Sequence, residues 1–425
     1  MIKKLSLLQI LLIALVSIVT AQKQPVKVEL IKHDSGYQLM RGGSPYYILG
    51  AGGGSHASRL ASYGGNSMRT WSTRGAEQIL DSAHRNGLTV LLGLHVGSER
   101  HGFDYNDKAA VKKQLDGLRQ EVRKFKDHPA LLAWGIGNEL NLHYSNTAVW
   151  DAVNDIARMI HEEDKMHPVA TILAGVNKDL VSLIKTKCPD IDLLGINVYA
   201  PLENLPAMIR NAGWDGAYMV TEWGPTGHWE GLLTSWKRPI EETSSEKAAV
   251  YKRRYEYSMN RDRQQCIGSY VFLWGQKQER TPTWYGMFTE QGEESEVIDV
   301  MQFLWSGKWP ENRAPHLYSL QLDRKKATDN IILKAGSRAE ALVNVMDPDN
   351  DSLNYRWELL AEPTKVGEGG DREDRPATIR DAFTGMHSGK AVLHIPTTPG
   401  EYRIFVYVTD GNNNVATANI PFLVQ

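Results

Sequence analysis

A chain of 425 residues with 42% hydrophobic and 23% charged side chains has ordinary globular composition and length for two or three domains, which excludes wholesale disorder, a collagen-like repeat and a small disulfide scaffold. Its formal net charge of −2 offers no basic surplus for nucleic acid. The 12 tryptophans are an unusual share, and because exposed indole rings are platforms for sugar rings, carbohydrate is the first candidate ligand.

Residues 1–21, MIKKLSLLQILLIALVSIVTA, join two lysines, an apolar run and a small-residue end, the pattern of a cleaved signal peptide. The run from Leu5 to Val19 is shorter than the roughly 20 residues that span a bilayer. The expectation is a secreted or periplasmic protein with no stable membrane insertion. Cys188 and Cys266 lie far apart with no neighbours at metal-ligand spacing; two small buried hydrophobes is the preferred reading, with a disulfide left open.

From Val26 to Tyr47 apolar and polar residues alternate and break at Asp34-Ser35-Gly36 and Gly42-Gly43, which predicts short antiparallel strands with tight turns. Eight apolar runs follow: YYILGA (46–51), NSMRTW (66–71), LTVLLGLHV (88–96), LLAWGIGNE (131–139), VATILAG (169–175), DLLGINVY (192–199), AYMVTEWG (217–224) and GSYVFLWG (268–275). Between them, stretches such as KAAVKKQLDGLRQEVRKFKDH space their apolar residues for one helix face. Eight strands alternating with helices predict an α/β fold, a (β/α)8 barrel over residues 22–309. An open doubly wound sheet is the rival, but GAGGGS (50–55) fits no phosphate-binding loop and reads as a tight turn. SGKWPENRAP is a linker, and residues 310–425 switch to period-two strands such as EALVNVMD and EYRIFVYVTD, predicting a β-sandwich.

In such a barrel the chemistry sits at the C-terminal ends of the strands. Those positions hold Arg69 and Trp71 on the second run, His95 on the third, Asn138 and Glu139 on the fourth, Tyr199 on the sixth, Glu222 on the seventh and Trp274 on the eighth. Two carboxylates across a barrel mouth lined with aromatics are what glycoside hydrolysis needs: one protonates the leaving oxygen, the other attacks. Trp223, Trp229, Trp236 and Trp284 read as sugar platforms or core, with Trp223 taken as a substrate contact. His95 and His143 are equally sugar contacts or structural histidines.

WGIGNEL (134–140) resembles the fourth-strand Asn-Glu signature, and VTEWG (220–224) the seventh-strand nucleophile segment, of the large clan of retaining barrel glycosidases. That clan includes the catalytic domain of the β-galactosidase, β-glucuronidase and β-mannosidase family and many endo-β-glucanases and mannanases. The resemblance implies Glu139 as acid/base, Glu222 as nucleophile and Asn138 as contact to the sugar 2-hydroxyl. It further implies that Tyr199 hydrogen-bonds the nucleophile, Arg69 keeps it ionised and Trp274 lies under the sugar. Burial beside aromatics would hold Glu139 protonated. The implied reaction needs no metal and no cofactor. Leu140 stands where many endo-glucanases of the clan have proline, which leans away from the cellulase-like branch.

The segments MDPDNDSLNYRWEL (346–359) and PGEYRIFVYVTDGNNNVATANIPFLV (399–424) resemble immunoglobulin-like modules of the polycystic-kidney or cadherin type. Asp347, Asp349, Asp351 and Asp410 either gather into a calcium site or cap strands. Trp357 looks buried, so the domain reads as a spacer or a module packed on the barrel. Three functional readings remain: a secreted retaining β-glycosidase acting on a β-glucan or β-mannan, a transglycosylase using the same glutamates, and a non-catalytic carbohydrate-binding protein, against which the intact pair argues.

Overall fold

The computed structural model describes residues 24–425, so the leader expected at 1–21 lies outside the described residues. Strands β1 (Val28–His33), β2 (Gly36–Arg41) and β3 (Ser44–Tyr46) form an antiparallel sheet. Gly36 has φ 136°, and a Cβ there would collide with the Gln264 carbonyl. Only glycine lets this turn press against the barrel.

Strands β4 (Ile48–Gly52), β5 (Ser67–Arg69), β6 (Thr89–Leu94), β7 (Leu131–Ile136), β8 (Val169–Ala174), β9 (Leu193–Asn197), β10 (Tyr218–Trp223) and β11 (Cys266–Val271) are parallel and close into a barrel, β11 pairing with β4. β6, β7, β9, β10 and β11 are buried at every residue. Helices cover one face and packed side chains fill the other, which is why these strands read as unbroken apolar runs. The helices are α1 (Ala57–Ser62), α2 (Ala76–Arg85), α3 (Lys108–Phe125), α4 (Ala148–Glu163), α5 (Lys178–Lys187), α6 (Leu205–Asn211), α7 (Ser244–Tyr257) and α8 (Glu296–Ser306). Their starts are set by sequence: the Asp107 carboxylate accepts the N–H groups of Ala109 and Ala110, and Thr243 with Glu246 forms a reciprocal capping box on α7. No helix among the described residues is long and apolar enough to cross a membrane. Cys188 and Cys266 are both buried as free thiols.

One end of the barrel is sealed. Leu91, Ala133, Leu193 and Met219 from the barrel interior join Val28 and Leu39 of the N-terminal sheet in one buried cluster. The opposite end, where the strands terminate, is left for the polar chemistry.

The C-terminal region is a β-sandwich. One sheet runs β12 (Glu294–Ser295), β20 (Asn414–Val424), β19 (Gly400–Thr409) and β16 (Asn354–Ala361), with β14 (Ile332–Leu333) also on β20. The other runs β13 (His316–Leu322), β15 (Arg338–Met346), β18 (Lys390–His394) and β17 (Phe383–His387). Trp357, Leu359, Ile404, Leu393 and Val343 pack between them. Because β12 precedes α8, the barrel region lends the sandwich a strand. Behind α7 the two parts share a buried network: the Glu241 carboxylate accepts bonds from Lys247 Nζ at 2.5 Å, Thr281 Oγ1 at 2.5 Å, Thr283 Oγ1 at 2.9 Å and Asn419 Nδ2 of β20 at 2.6 Å.

Candidate active site

Five side chains from four strand ends meet at the open mouth. Arg69 closes β5 and is fully buried; its Nη1 donates to Glu222 Oε1 at 2.8 Å and its Nη2 to Asn138 Oδ1 at 2.6 Å. Glu222 sits one residue before the end of β10. Its Oε1 also accepts the Trp71 indole N–H at 2.7 Å, and its Oε2 accepts the Tyr199 hydroxyl at 3.1 Å. Asn197, the last residue of β9, donates through Nδ2 to Glu139 Oε1 at 2.9 Å and accepts the Thr221 hydroxyl at 2.7 Å. Asn197 Oδ1 also lies 3.4 Å from Arg69 Nη1, so the two carboxylates are tied into one hydrogen-bonded lattice through Asn197 and Arg69.

Past β7 the backbone turns sharply, with Gly137 at φ 66° and Glu139 at φ 54°. A left-handed conformation costs a non-glycine residue about 1–2 kcal/mol. It persists because the Glu139 N–H is bonded to the Ile172 carbonyl at 2.9 Å, and its result is that Asn138 and Glu139 both line the same cavity. Burial raises the Glu139 pKa to about 7, with the negative charge of Glu222 adding to the effect and the Asn197 hydrogen bond opposing it. Glu222 instead carries an ion pair with Arg69 and two further donors. One carboxyl is thus poised to give a proton near neutral pH, and the other is held as a hydrogen-bonded acceptor.

The cavity at the carboxylates has a volume of about 370 Å³, and a second of about 720 Å³ adjoins it. Glu139, Tyr199, Trp229 and Gly369 line both, which places Glu139 at the junction. Phe272 and Tyr285 wall the smaller space, and Lys277 and Glu279 supply its remaining charge as a 2.7 Å ion pair. The walls also include Gly369 and Gly370 of the sandwich. Lys277 Nζ donates to the Gly370 carbonyl at 2.7 Å, Arg100 holds Asp371 at 3.1 Å, and Arg280 holds Glu373 at 3.2 Å. The C-terminal domain is therefore more than the spacer or packing module expected from sequence: one of its loops forms part of the cleft.

Several sequence-predicted positions lie elsewhere. Trp223 is completely buried and packs on Tyr251 and Tyr255 of α7. The side chains of a strand alternate between faces, so with Glu222 turned into the mouth its neighbour turns to the helices. Trp274 is buried against Phe288 and Trp305, away from both cavities. β11 ends at Val271, and the aromatic that reaches the cleft is Phe272. His95 is exposed and lines neither cavity. Trp284 is buried, with its indole N–H on the Thr226 carbonyl. Trp229, 58% exposed and edge-on to Tyr199 at 5.4 Å, is the loop tryptophan at both cavities. His143 lines the larger one, 3.7 Å from Glu368.

Sequence reasoning missed Asn197, Lys277, Glu279 and His228. Asn197 was within sight, in the same NVY as Tyr199. His228 lines the larger cavity beside the Tyr285 hydroxyl at 2.9 Å, and burial with nearby Arg280 and Lys277 lowers its pKa to about 4. It is a neutral hydrogen-bonding group at neutral pH.

No protein-family model matches the chain, and no curated protein sequence matches it. Solved structures do. The chain is similar to a calcium-binding mutant of Bacteroides uniformis β-glucuronidase 2, with 14% identity and a TM-score of 0.53 over 94% of this chain and 48% of that one. It is also similar to Bifidobacterium dentium β-glucuronidase, with 18% identity and a TM-score of 0.52 over 66% and 49%. An FMN-binding β-glucuronidase from Faecalibacterium prausnitzii gives 13% identity and a TM-score of 0.51 over 94% and 59%. The chain spans about half the length of the first two. Likeness at this level is likeness of fold, and with the closed ring of parallel strands it makes the protein a (β/α)8 barrel carrying a C-terminal β-sandwich.

Proposed function

We propose that the protein is a retaining β-glycosidase, exported after cleavage of its leader, that hydrolyses a β-linked glycan, with β-glucan or β-mannan as the substrate class. The observation that carries the reading is the pairing at the barrel mouth: Glu139 with its pKa raised to about 7, beside Glu222 held by Arg69, Trp71 and Tyr199. In this reading Glu222 attacks the anomeric carbon while Glu139 gives its proton to the departing oxygen. Glu139, now a carboxylate, then takes a proton from the water that releases the sugar with retained configuration. Asn138, held on Arg69 at 2.6 Å, is placed to meet the sugar hydroxyl next to the reacting carbon.

Two features bear on the substrate: the first favours a neutral sugar at the carboxylates, the second an oligomeric chain. The neighbours of similar fold are β-glucuronidases, yet Lys277, which lines the smaller cavity beside the two carboxylates, is already paired with Glu279 and bonded to the Gly370 carbonyl. The larger cavity shares Glu139 with the smaller one, giving room for a leaving group of more than one sugar ring. The test is product analysis of the mature protein on β-1,3-, β-1,4- and mixed-linked glucans, mannans and galactans, with Glu139→Gln and Glu222→Gln as controls. Products released by wild type alone, first formed as the β-anomer by NMR, are expected. Release of the α-anomer first, or equal release by Glu222→Gln, would sink the reading.

A further inference from the structure

Residues 362–382, between β16 and β17, form neither helix nor strand. A loop longer than about 12–15 residues in a compact domain is usually functional or disordered, and this one is tied down along its length. At its root the buried Glu362 accepts Arg403 Nε at 2.7 Å, and the Ile379 N–H bonds to the Leu359 carbonyl at 2.9 Å, so both ends belong to the sandwich. Midway, Glu373, 6% exposed, accepts the Arg280 backbone N–H at 2.6 Å and the Gly367 N–H at 2.9 Å. This ties the two limbs of the loop to each other and to the segment after β11. At the tip the Asp371 N–H meets the Glu368 carbonyl at 3.1 Å, in a turn where Gly369 and Gly370 have φ of 55° and 79°. Lys277 Nζ holds the tip from one side, on the Gly370 carbonyl at 2.7 Å. From the other, Arg100 Nη1 donates to the Glu368 carbonyl at 3.2 Å and to Asp371 Oδ2 at 3.1 Å, and His101 Nε2 lies 3.2 Å from Asp371 Oδ1.

Where the loop is gripped decides what it does. Arg238, which follows β10, donates to the Pro363 carbonyl at 3.4 Å, and Lys277 and Arg280 follow β11. Arg100 and His101 follow β6, and His143, 3.7 Å from Glu368, follows β7. In the ring β10-β11-β4-β5-β6-β7-β8-β9, the strands β6 and β7 stand opposite β10 and β11. The loop therefore crosses the barrel mouth as a strap. Gly175, Val198 and Pro201, after β8 and β9, line the larger cavity; Trp71, after β5, and Phe272, after β11, line the smaller one; Gly369 of the strap lines both. We propose that this strap makes the site specific for chain ends: a glycan reaches the carboxylates only by inserting its non-reducing end between the strap and the barrel, and internal bonds of a polymer are left uncut. The inference rests on the glycosidase reading. In that reading the sugar attacked by Glu222 lies in the smaller cavity, and the leaving group protonated by Glu139 extends into the larger. A chain occupying both passes the strap, which is continuous with the sandwich at both ends and pinned on both sides, so the chain cannot be laid in sideways. The attacked sugar is on the non-reducing side of its bond, which makes that the end that enters. The smaller cavity, about 370 Å³, is near the lower limit of the about 300–1,000 Å³ usual for ligand sites, room for a short terminal piece.

The test uses the mature chain on hexasaccharides of β-1,3-glucan, β-1,4-glucan and β-1,4-mannan labelled at the reducing end with 2-aminobenzamide, and on the parent polymers followed by viscosity and by release of reducing ends. Wild type should first shorten a labelled hexasaccharide by one or two units from its unlabelled end, and should release reducing ends from the polymer with little loss of viscosity. Asp371→Ala combined with Glu373→Ala frees the strap from Arg100 and Arg280, and the viscosity lost per reducing end should rise severalfold. Asp371→Ala alone removes an acid whose side chain is 42% exposed and should give a smaller rise, which keeps the comparison available if the double variant does not fold. Labelled products of every length at the start of the wild-type reaction, or a ratio that neither variant raises, would overturn the strap's role and leave the glycosidase reading standing. Failure to cleave any of these oligosaccharides or activated aryl β-glycosides would instead sink the glycosidase reading, and this inference with it.

Discussion

The two halves of the cleft are built differently. The half proposed as catalytic comes from strand ends of a sealed barrel: Arg69, Asn138, Glu139, Asn197 and Glu222 are locked to one another by direct hydrogen bonds. The other half comes from loops and from a second domain: Trp229, the Lys277–Glu279 pair, and Gly369 and Gly370 of the sandwich. Strand ends hold side chains to a fraction of an ångström, which proton transfer and nucleophilic attack require. Loops set the shape around that point, so chemistry and selection are separable here. Changes in the strand half should strike turnover, and changes in the loop half should strike substrate affinity.

The largest effect is expected at Glu222. Replacing it with glutamine removes the attacking group, and kcat should fall by at least about 10,000-fold in steady-state assays. Glu139→Gln should cost about 100- to 10,000-fold on unactivated substrates, with a signature in pH. A general acid must be protonated, so wild-type kcat/KM should decline as pH rises through about 7, and this limb should be missing in the variant. A limb that persists in Glu139→Gln would assign the acid to another group.

Supporting the loop half, the Glu241 network joins Thr281 and Thr283 of the eighth-strand loop to Asn419 of the sandwich. Glu241→Ala strands Lys247, 5% exposed, and breaking a buried pair in this way should cost about 3–5 kcal/mol in denaturant unfolding. Burial alone would raise the Glu241 pKa, but Lys247 and the surrounding donors pull it below its ordinary 4.5. A depressed folded pKa means that the stabilisation is complete above pH 4.5 and fades as pH falls through the folded value. Acid should therefore narrow the gap between wild type and the alanine variant. The smallest effect is expected at the outer clamp. Asp371→Ala releases an exposed partner of Arg100 and His101 and should raise KM by up to about fivefold with kcat nearly unchanged. A fall in kcat with KM unchanged would erase the distinction between the halves.

The same division decided what was legible in the sequence. Each barrel strand announces itself as an apolar run, and a polar residue at the end of such a run is conspicuous; Arg69, Asn138, Glu139, Tyr199 and Glu222 stand out that way, and the structure brings them together at one mouth. Trp223 was misplaced although its exclusion was available, because adjacent residues on a strand face opposite sides. Trp274 was misplaced because β11 stops at Val271, a boundary the run GSYVFLWG conceals. Lys277 and Glu279 lie in QKQER, an unremarkable charged stretch whose meaning depends on where the loop folds. Gly369 and Gly370 reach the cleft from another domain, 93 residues beyond Lys277 for the Gly370 contact, and no local pattern marks such a contact.

The central claim is that Glu222 forms a covalent bond to the sugar. Incubating wild-type protein with activated 2-deoxy-2-fluoro β-glycosides of gluco, manno and galacto configuration, followed by intact mass and peptide mapping, tests it directly. The account predicts one added fluoroglycosyl mass per chain, carried by Glu222 and absent from Glu222→Gln. An adduct on Glu139 or on any other residue, or inactivation that leaves Glu222 unmodified, would contradict it.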